Sequence, residues 1–413
     1  MKKGYLSEYF MGVAAKKLSL VEANVLSSNQ HEFNGIKQLR EILGTERRIY
    51  DAKIMYLTDF EDEPIVEEST LTWYDAREKH PTRSEHRLYF KTTLVSQNAN
   101  EGDLLVIAKR LDESLLMIIA ESGSSIARQI EWLFGFNTIA HPGFSIKSEL
   151  ETEQDRIEFA SCFILESIGI AVETSEETFL EKMLNQFGAR FPTTKVFSEF
   201  ARGTVDIDPK EDPDVVLMAW MEREEILFRT FERYLISERL SQGFGSCKQN
   251  NLNVDGFLEF SLSVQNRRKS RVGLTLENHI EVLLQLNNLN YSRNKITENK
   301  VKPDFIFPSI DHYHDPNFNT SGLTMLGVKS TCKDRWRQVL SEAERVKEKH
   351  LLTLETAISE QQTNEMKSKK LQLVIPQKLH ETYLPTQQEW IINLSCFFDV
   401  LKAKQHNYFI ESN

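Results

Sequence analysis

The chain has 413 residues, 40% of them hydrophobic and 27% charged, with 17 glycines and 11 prolines, a make-up that excludes collagen-like, mucin-like and wholly disordered chains. That length exceeds one ordinary core and suits two domains. The formal net charge of -11 argues against holding a polyanion through bulk charge, so such a partner would have to be met by local basic patches.

The N-terminus, MKKGYLSEYF, starts basic but lacks the apolar stretch and small-residue cleavage site of a signal peptide. No run approaches the roughly 20 apolar residues of a membrane span, and the longest, Leu115 to Ala120, has strand length. A cytoplasmic protein with no membrane partner is expected. Up to about residue 120 the segments RIYDAKIMYLTDF, HRLYFKTTLV, DLLVIAKRL and SLLMIIAES alternate or run apolar over strand length between polar turns. They predict a small, barrel-like, mostly β domain.

The middle of the chain is acidic, from Glu149 through Glu158 and Glu173 to Glu177, and again from Asp206 to Asp214, which reads as a hinge plus solvated helix faces. The domain boundaries that follow are 1–170, a hinge over 171–188 centred on Glu173 to Lys182, and 189–413. From about Phe179, FLEKMLNQF and VVLMAWMEREEILFRTFERYLISERL carry apolar residues at helical spacing, and LTLENHIEVLLQL puts Leu276, Ile280, Leu283 and Leu284 on one stripe. Strand-like KPDFIF, LTMLGVKS, HLLTLE and LQLVIP follow, with helical sequence expected from Arg335 to Lys349 and around Gln361 to Met366. Helices alternating with strands imply a mixed α/β sheet covered on its faces. The four cysteines, Cys162, Cys247, Cys332 and Cys396, form no CxxC pair and have no histidine at metal-ligand spacing, which fits reduced thiols and no zinc site.

The informative stretch runs from Glu277 to Glu342. Asp304 opens a strand whose Phe305 and Phe307 face the other way, so its carboxylate is offered at a cleft. Lys329 closes the apolar strand LTMLGVK, a costly place for an ammonium without an anionic partner. Glu342 follows in RWRQVLSEAERV, expected on a helix and able to face the same cleft; its alternative is a surface pair with Arg345 or Arg335. Two carboxylates to hold Mg²⁺ and a lysine to orient water or stabilise developing charge are what metal-dependent phosphodiester hydrolysis requires.

The segments NRRKSR, KPDFIFPSIDHYHD, LGVKSTCKDRWRQVLSEAERV, HLLTL and LVIP, with ARFPTTK, GFGS and SVQNRRKSR upstream, closely resemble the catalytic domain of the EcoRII-type restriction endonucleases, within the PD-(D/E)XK nuclease superfamily. The resemblance spans roughly Ala189 to Tyr383. It implies that Asp304 is a metal-binding acid and Lys329 the catalytic lysine. The superfamily's acid two residues before that lysine is replaced by Gly327, and the resemblance implies that Glu342 supplies the missing carboxylate. Glu277 matches a further active-site acid, or pairs only with Glu281's face of the helix, and Tyr313 matches a tyrosine adjacent to the active site, or only packs.

Lys333, Asp334 and Arg335 stand where the resembled family reads bases; lysine and arginine can donate to guanine and aspartate can accept from cytosine. The alternative is a helix start with Asp334 as cap and Arg335 on a phosphate. Arg267, Arg268, Lys269 and Arg271 look like phosphate clamps. More weakly, EYFMGVAAKKLS, SNQHEFNGI and PTRSEHRLYF resemble the family's effector domain, a DNA-binding pseudobarrel, with His31, Arg83, Glu85, His86 and Arg87 on its DNA-contacting positions and Pro81 and His86 replacing lysines. A charged, solvent-facing hairpin is the alternative there.

Taken together, the resemblance implies a Mg²⁺-dependent type II restriction endonuclease. It would be a homodimer through the C-terminal domain and would cleave double-stranded DNA at a palindromic CC…GG-type site when a second copy of the site occupies the N-terminal domains. In the resembled family the effector domain also blocks the catalytic cleft until DNA binds. A repair or modification-dependent nuclease of the same fold and a catalytically inactive DNA-binding regulator are the alternatives.

Overall fold

In the computed structural model the described residues are 4–23, 31–35, 39–60, 64–80, 82–136, 139, 143–157, 159–170, 172, 177–246, 249–332 and 335–411. The chain divides into two compact units: Met1–Val172 with Thr356–Thr363 and Thr382–Leu384, and Glu173–Glu355 with Asn364–Glu381 and Pro385–Asn413. No described helix is long and apolar enough to cross a membrane.

The first unit is mostly β. Its strands β1 (Phe10–Lys17), β2 (Glu32–Asn34), β3 (Arg48–Leu57), β4 (Ile65–Asp75), β5 (His86–Phe90), β6 (Leu104–Arg110), β7 (Leu115–Ala120) and β8 (Ser145–Lys147) form one eight-stranded sheet in the order β2-β5-β4-β3-β7-β6-β1-β8. All neighbours are antiparallel except β3 and β7, which are parallel. Strands β6 and β7 read as continuous apolar runs because both faces are covered. Leu104, Val106, Leu116 and Ile118 enter one buried cluster while Leu105, Ile107, Met117 and Ile119 enter another on the opposite side. The predicted strand HRLYFKTTLV stops at Phe90, because Thr93 caps a short helix over Leu94–Asn98 by accepting from the Ser96 N–H.

The second unit opens with helices α1 (Glu177–Phe187), α2 (Thr194–Arg202), α3 (Pro213–Gln242) and α4 (Val254–Leu286). Their starts are written in the sequence: Thr193, Asp212 and Asn253 each accept a backbone N–H of the first turn, and Pro213 occupies the position where a missing N–H costs nothing. Helix α1 falls inside the segment predicted as a hinge. Its Met183 is buried with Phe197, Phe228 and Phe231, and Leu180, Leu184 and Phe187 pack around them, so apolar burial makes 177–187 part of this unit and not a free linker. Residues 171 and 173–176 of the predicted hinge lie outside the described residues.

Helices α3 and α4 are joined by charge as well as by apolar contact. Glu224 is fully buried, accepts from Thr275 Oγ1 at 2.6 Å and lies 3.1 Å from His279 Nε2, while Arg202 reaches His279 Nδ1 at 3.1 Å. Nδ1 therefore accepts and Nε2 carries the proton facing Glu224. Arg271 pairs with Glu225, and Arg268 with Glu232 at 2.7 Å.

A five-stranded sheet follows, of β9 (Ser292–Arg293), β10 (Phe305–Phe307), β11 (Thr324–Lys329), β12 (Lys349–Thr353) and β13 (Leu371–Val374), in that order. The β9/β10 and β10/β11 pairs are antiparallel, and β11, β12 and β13 run parallel. Short helices α5 (Ile310–His314) and α6 (Trp336–Leu340) and the C-terminal α7 (Leu394–Glu411) flank it. The helix predicted to run to Lys349 stops at Leu340: Ser341 caps it and Ala343 adopts φ +49°, which no helix tolerates. Glu342 therefore sits in the turn after the helix and not on it.

The buried Glu224 faces three donors of α4, namely Thr275, His279 and, at 3.9 Å, Arg271. Glu224→Ala is expected to destabilise the protein by ~3–5 kcal/mol, because it strands buried charge. A urea midpoint close to wild type would contradict this.

Candidate active site

Antiparallel pairing of β10 with β11 sets Phe305 opposite Leu326, so the residue that enters β10 lies beside the residues that leave β11. Asp304 is buried, and its Oδ2 accepts from the Val328 N–H at 2.6 Å and from Lys329 Nζ at 2.8 Å. The ammonium at the end of a buried strand thus has its anion, twenty-five residues away in sequence.

Glu342 is brought to the same place by the turn after α6. It is 7% exposed, and its Oε2 is buried with no hydrogen-bond partner among the described residues. Burial pushes its pKa up to about 7, against the pull of Lys329 and with a further push from Asp304, so both groups lie within electrostatic reach of it. An orphaned carboxylate oxygen beside Asp304 and Lys329 costs on the order of 1–3 kcal/mol or more unless something cationic satisfies it. Among the described residues no three His, Cys, Asp or Glu side chains gather to hold a metal by themselves. That donor set still suits Mg²⁺, which is commonly bound by one or two carboxylates together with water and substrate phosphate oxygens.

Gly327 stands where the resembled superfamily has an acid, and its surroundings leave no room for one. A Cβ at this position would stand 2.9 Å and 3.1 Å from the two methyl carbons of Val339, so α6 packs directly on β11 where another chain could carry a glutamate.

The other expected residues are distributed as follows. Glu277 pairs with Arg293 at 2.9 Å and accepts from Asn294 Nδ2 at 3.3 Å, and the Asn294 N–H donates to the Asp304 carbonyl at 3.1 Å; Glu277 is thus linked to the site through β9. Tyr313 is fully buried, and its hydroxyl donates to Glu298 at 2.6 Å instead of facing Asp304 or Lys329. Lys333 and Asp334 lie outside the described residues, and Arg335 is exposed at the start of α6. On α4, Lys269 is exposed and Arg268 is exposed but paired with Glu232. Arg271, expected as a phosphate clamp, is 7% exposed, pairs with Glu225 and covers the Phe228 ring at 3.8 Å, so the helix turns it inward.

In the first unit, Arg83 is exposed and Glu85 lies between Arg77 at 2.6 Å and Arg87 at 2.7 Å, which hold its pKa down. Arg87 also pairs with Glu32. His31 lies edge-on to Phe90. His86 does not join the outward set: strand alternation turns it into the core with Leu88 and Phe90, where it packs on Trp73 and its Nε2 meets the Thr45 carbonyl at 3.0 Å. Pro81 lies outside the described residues.

Two groups near the site escaped the sequence reading. Lys349, which opens β12, is buried and donates from Nζ to the Leu340 carbonyl at 2.5 Å, just before Glu342. The argument that singled out Lys329, a lysine in an apolar strand, applies equally to it. Arg293 gathers Glu277, Asn278 and Glu281 of α4 and carries no comparable signal in sequence.

Comparison with known proteins bears on the same region. Residues 228–398 match the family described as EcoRII C terminal. The type II restriction enzyme EcoRII of Escherichia coli is 38% identical over 209 residues, covering 50% of each protein. The match thus spans about half the length of that relative. Among solved structures, metal-depleted Ecl18kI in complex with uncleaved, modified DNA is 16% identical with a TM-score of 0.44 and covers 57% of this chain and 86% of its own. The PspGI–substrate DNA complex is 16% identical with a TM-score of 0.43, over 52% of this chain and 94% of its own.

Gly327→Ala is expected to cost ~1–3 kcal/mol by overpacking against Val339; a thermal midpoint at or above wild type would refute the close approach. A second expectation concerns pH. The native pKa of Glu342, about 7, exceeds its ordinary 4.5, so the native state binds more protons between those values and stability falls as pH rises through them. Glu342→Gln should remove that part of the slope in denaturation with EDTA present. A wild-type-minus-variant difference that is flat between pH about 5 and about 7.5 would contradict the assignment.

Proposed function

We propose that this chain is a type II site-specific deoxyribonuclease that hydrolyses both strands of double-stranded DNA with a divalent cation, Mg²⁺ by chemistry. The observation that carries the reading is the convergence of Asp304, Lys329 and the unpartnered Glu342 within the 228–398 match. Asp304 and Glu342 would hold the cation, which when bound polarises the phosphate and lowers the pKa of water. Lys329, anchored on Asp304, presents its ammonium where a water can be oriented and charge on a phosphate oxygen stabilised. Exposed Lys269, with Arg268 and Arg335, supplies phosphate and base contacts, and Lys333 and Asp334 complete the base-reading group.

The finer parts of the reading rest on the resemblance. A palindromic CC…GG-type site implies a two-fold protein, hence a homodimer with two active sites. Occupation of the first unit by a second copy of the site, through Arg83, Glu85 and Arg87, would stimulate cleavage. Cytoplasmic residence fits a protein whose substrate is DNA.

The test is incubation with unmethylated multi-site DNA and Mg²⁺, followed by sequencing of the fragment ends. Discrete fragments with a common end sequence are expected, abolished by EDTA and reduced at least ~100-fold by Lys329→Ala. Retained DNA binding with no cleavage of any substrate, methylated DNA included, would overturn the nuclease reading in favour of a DNA-binding regulator.

A further inference from the structure

The turn that carries Glu342 follows the end of α6 at Leu340 and contains the left-handed Ala343. It is held locally by the Glu342 N–H on the Val339 carbonyl at 3.2 Å, the Val346 N–H on the Ala343 carbonyl at 2.9 Å and Lys349 on the Leu340 carbonyl, and a group of three side chains away from the cleft ties it to other segments. Arg345, three residues after Glu342, donates from Nη1 to the carbonyls of Tyr313 and Asp315 and from Nη2 to that of Phe318 at 3.1 Å, closing over the C-terminal end of α5. Such carbonyls favour a cation. The Tyr313 hydroxyl accepts from the Arg345 N–H at 3.3 Å and gives its own proton to Glu298, 2.6 Å from both carboxylate oxygens. Glu298 in turn accepts from the Glu344 N–H at 3.4 Å. Burial and the neighbouring Glu298 both push the Tyr313 pKa up, so the phenol keeps the proton it donates.

The three members come from different segments. Glu298 lies in the 3-10 turn Glu298–Lys300, which leads directly into Asp304; Tyr313 lies on α5, which follows β10; Arg345 belongs to the Glu342 turn. The group therefore bridges the approach to one metal carboxylate and the turn bearing the other. We propose that Glu298, Tyr313 and Arg345 are positioning residues that set the spacing of Glu342 from Asp304 for divalent-cation binding. This assigns Tyr313 to the support of the site and away from its chemistry. It rests on the nuclease reading above.

The test is Mn²⁺ binding to the full-length protein without DNA, read as loss of the free-ion paramagnetic resonance signal, alongside thermal midpoints and the Mg²⁺ dependence of cleavage. Tyr313→Phe and Glu298→Ala should raise the Mn²⁺ Kd about tenfold or more, as loss of groups that orient metal ligands does. Glu298→Gln, whose amide oxygen still accepts from the phenol, should stay within about threefold of wild type. The cleavage defect of Tyr313→Phe should be recovered at high Mg²⁺, a pattern that mere loss of stability would not produce. Asp304→Ala is the control. Wild-type Mn²⁺ affinity in Tyr313→Phe and Glu298→Ala, with affinity lost in Asp304→Ala, would overturn the positioning role alone. Unchanged affinity in Asp304→Ala as well would overturn the cation site and the positioning role with it. Since Tyr313→Phe removes one hydroxyl group, its result decides if Glu298→Ala fails to fold.

Discussion

Everything at the candidate site depends on the antiparallel pairing of two short strands. Because β10 begins where β11 ends, a carboxylate entering one strand meets an ammonium leaving the other, and the Asp304–Lys329 contact at 2.8 Å follows from register. The same register gives Asp304 the Val328 N–H, so one backbone donor and one side-chain donor converge on Oδ2. The bulk of the second unit serves that register. The apolar stripe of α4 is fully buried at Leu276, Ile280, Leu283 and Leu284, and Arg293 ties β9 to the outer turns of the same helix.

The second carboxylate is the more expensive part of the design. Packing Val339 against Gly327 closes that position on β11, and Glu342 lies in the turn beyond α6, where its N–H still donates to the Val339 carbonyl at 3.2 Å. The turn is then pinned on both sides, by Lys349 on the Leu340 carbonyl before it and by Arg345 on three carbonyls after it. Even so, Glu342 keeps one buried oxygen unpartnered among the described residues. Other buried carboxylate oxygens, those of Asp155, Glu224 and Glu232, share this state, so what sets Glu342 apart is its place beside Asp304 and Lys329 and its raised pKa.

How much of this was legible in the sequence follows from what each pattern encodes. Alternation and apolar runs located β3, β6, β7 and β10 to β13 but not the two-residue β9, because burial on one or both faces leaves a period that survives without coordinates. Helix α3 and the C-terminal part of α4 were legible through their apolar stripes; the first half of α4 was not. The end of α6 was not: RWRQVLSEAERV has helical composition throughout, and only the left-handed Ala343 and the long-range grip of Arg345 stop it. His86 was misplaced for a similar reason. Its neighbours Arg83, Glu85 and Arg87 suggested a polar surface, yet the pleat gives alternate residues to the core, and a histidine can satisfy itself there on a carbonyl. The candidate pair Asp304 and Lys329 was legible from chemistry; the hydrogen bonds of Glu298 and Arg345 around the Glu342 turn were not, since contacts between segments far apart in sequence leave no periodic trace.

The same distinction bears on the proposed engagement of DNA by this acidic chain. Runs of basic residues overstate the charge available to a phosphate backbone, because folding assigns many of those bases to internal partners. Of the run on α4, Arg271 is buried on Glu225 and Phe228 and Arg268 shares its charge with Glu232, while Arg267 covers the Phe191 ring at 4.9 Å. Arg87 is held by two glutamates in the first unit, and Arg293 by two in the second. The buried Arg271 is lost to a phosphate, and with it about one counterion from the salt-dependent part of affinity, whereas Arg268 and Arg87 would have to share their charge between a glutamate and the DNA. Under the proposed function, DNA would be met by the remaining exposed bases against a net charge of -11, so contacts at base edges would have to add to local attraction.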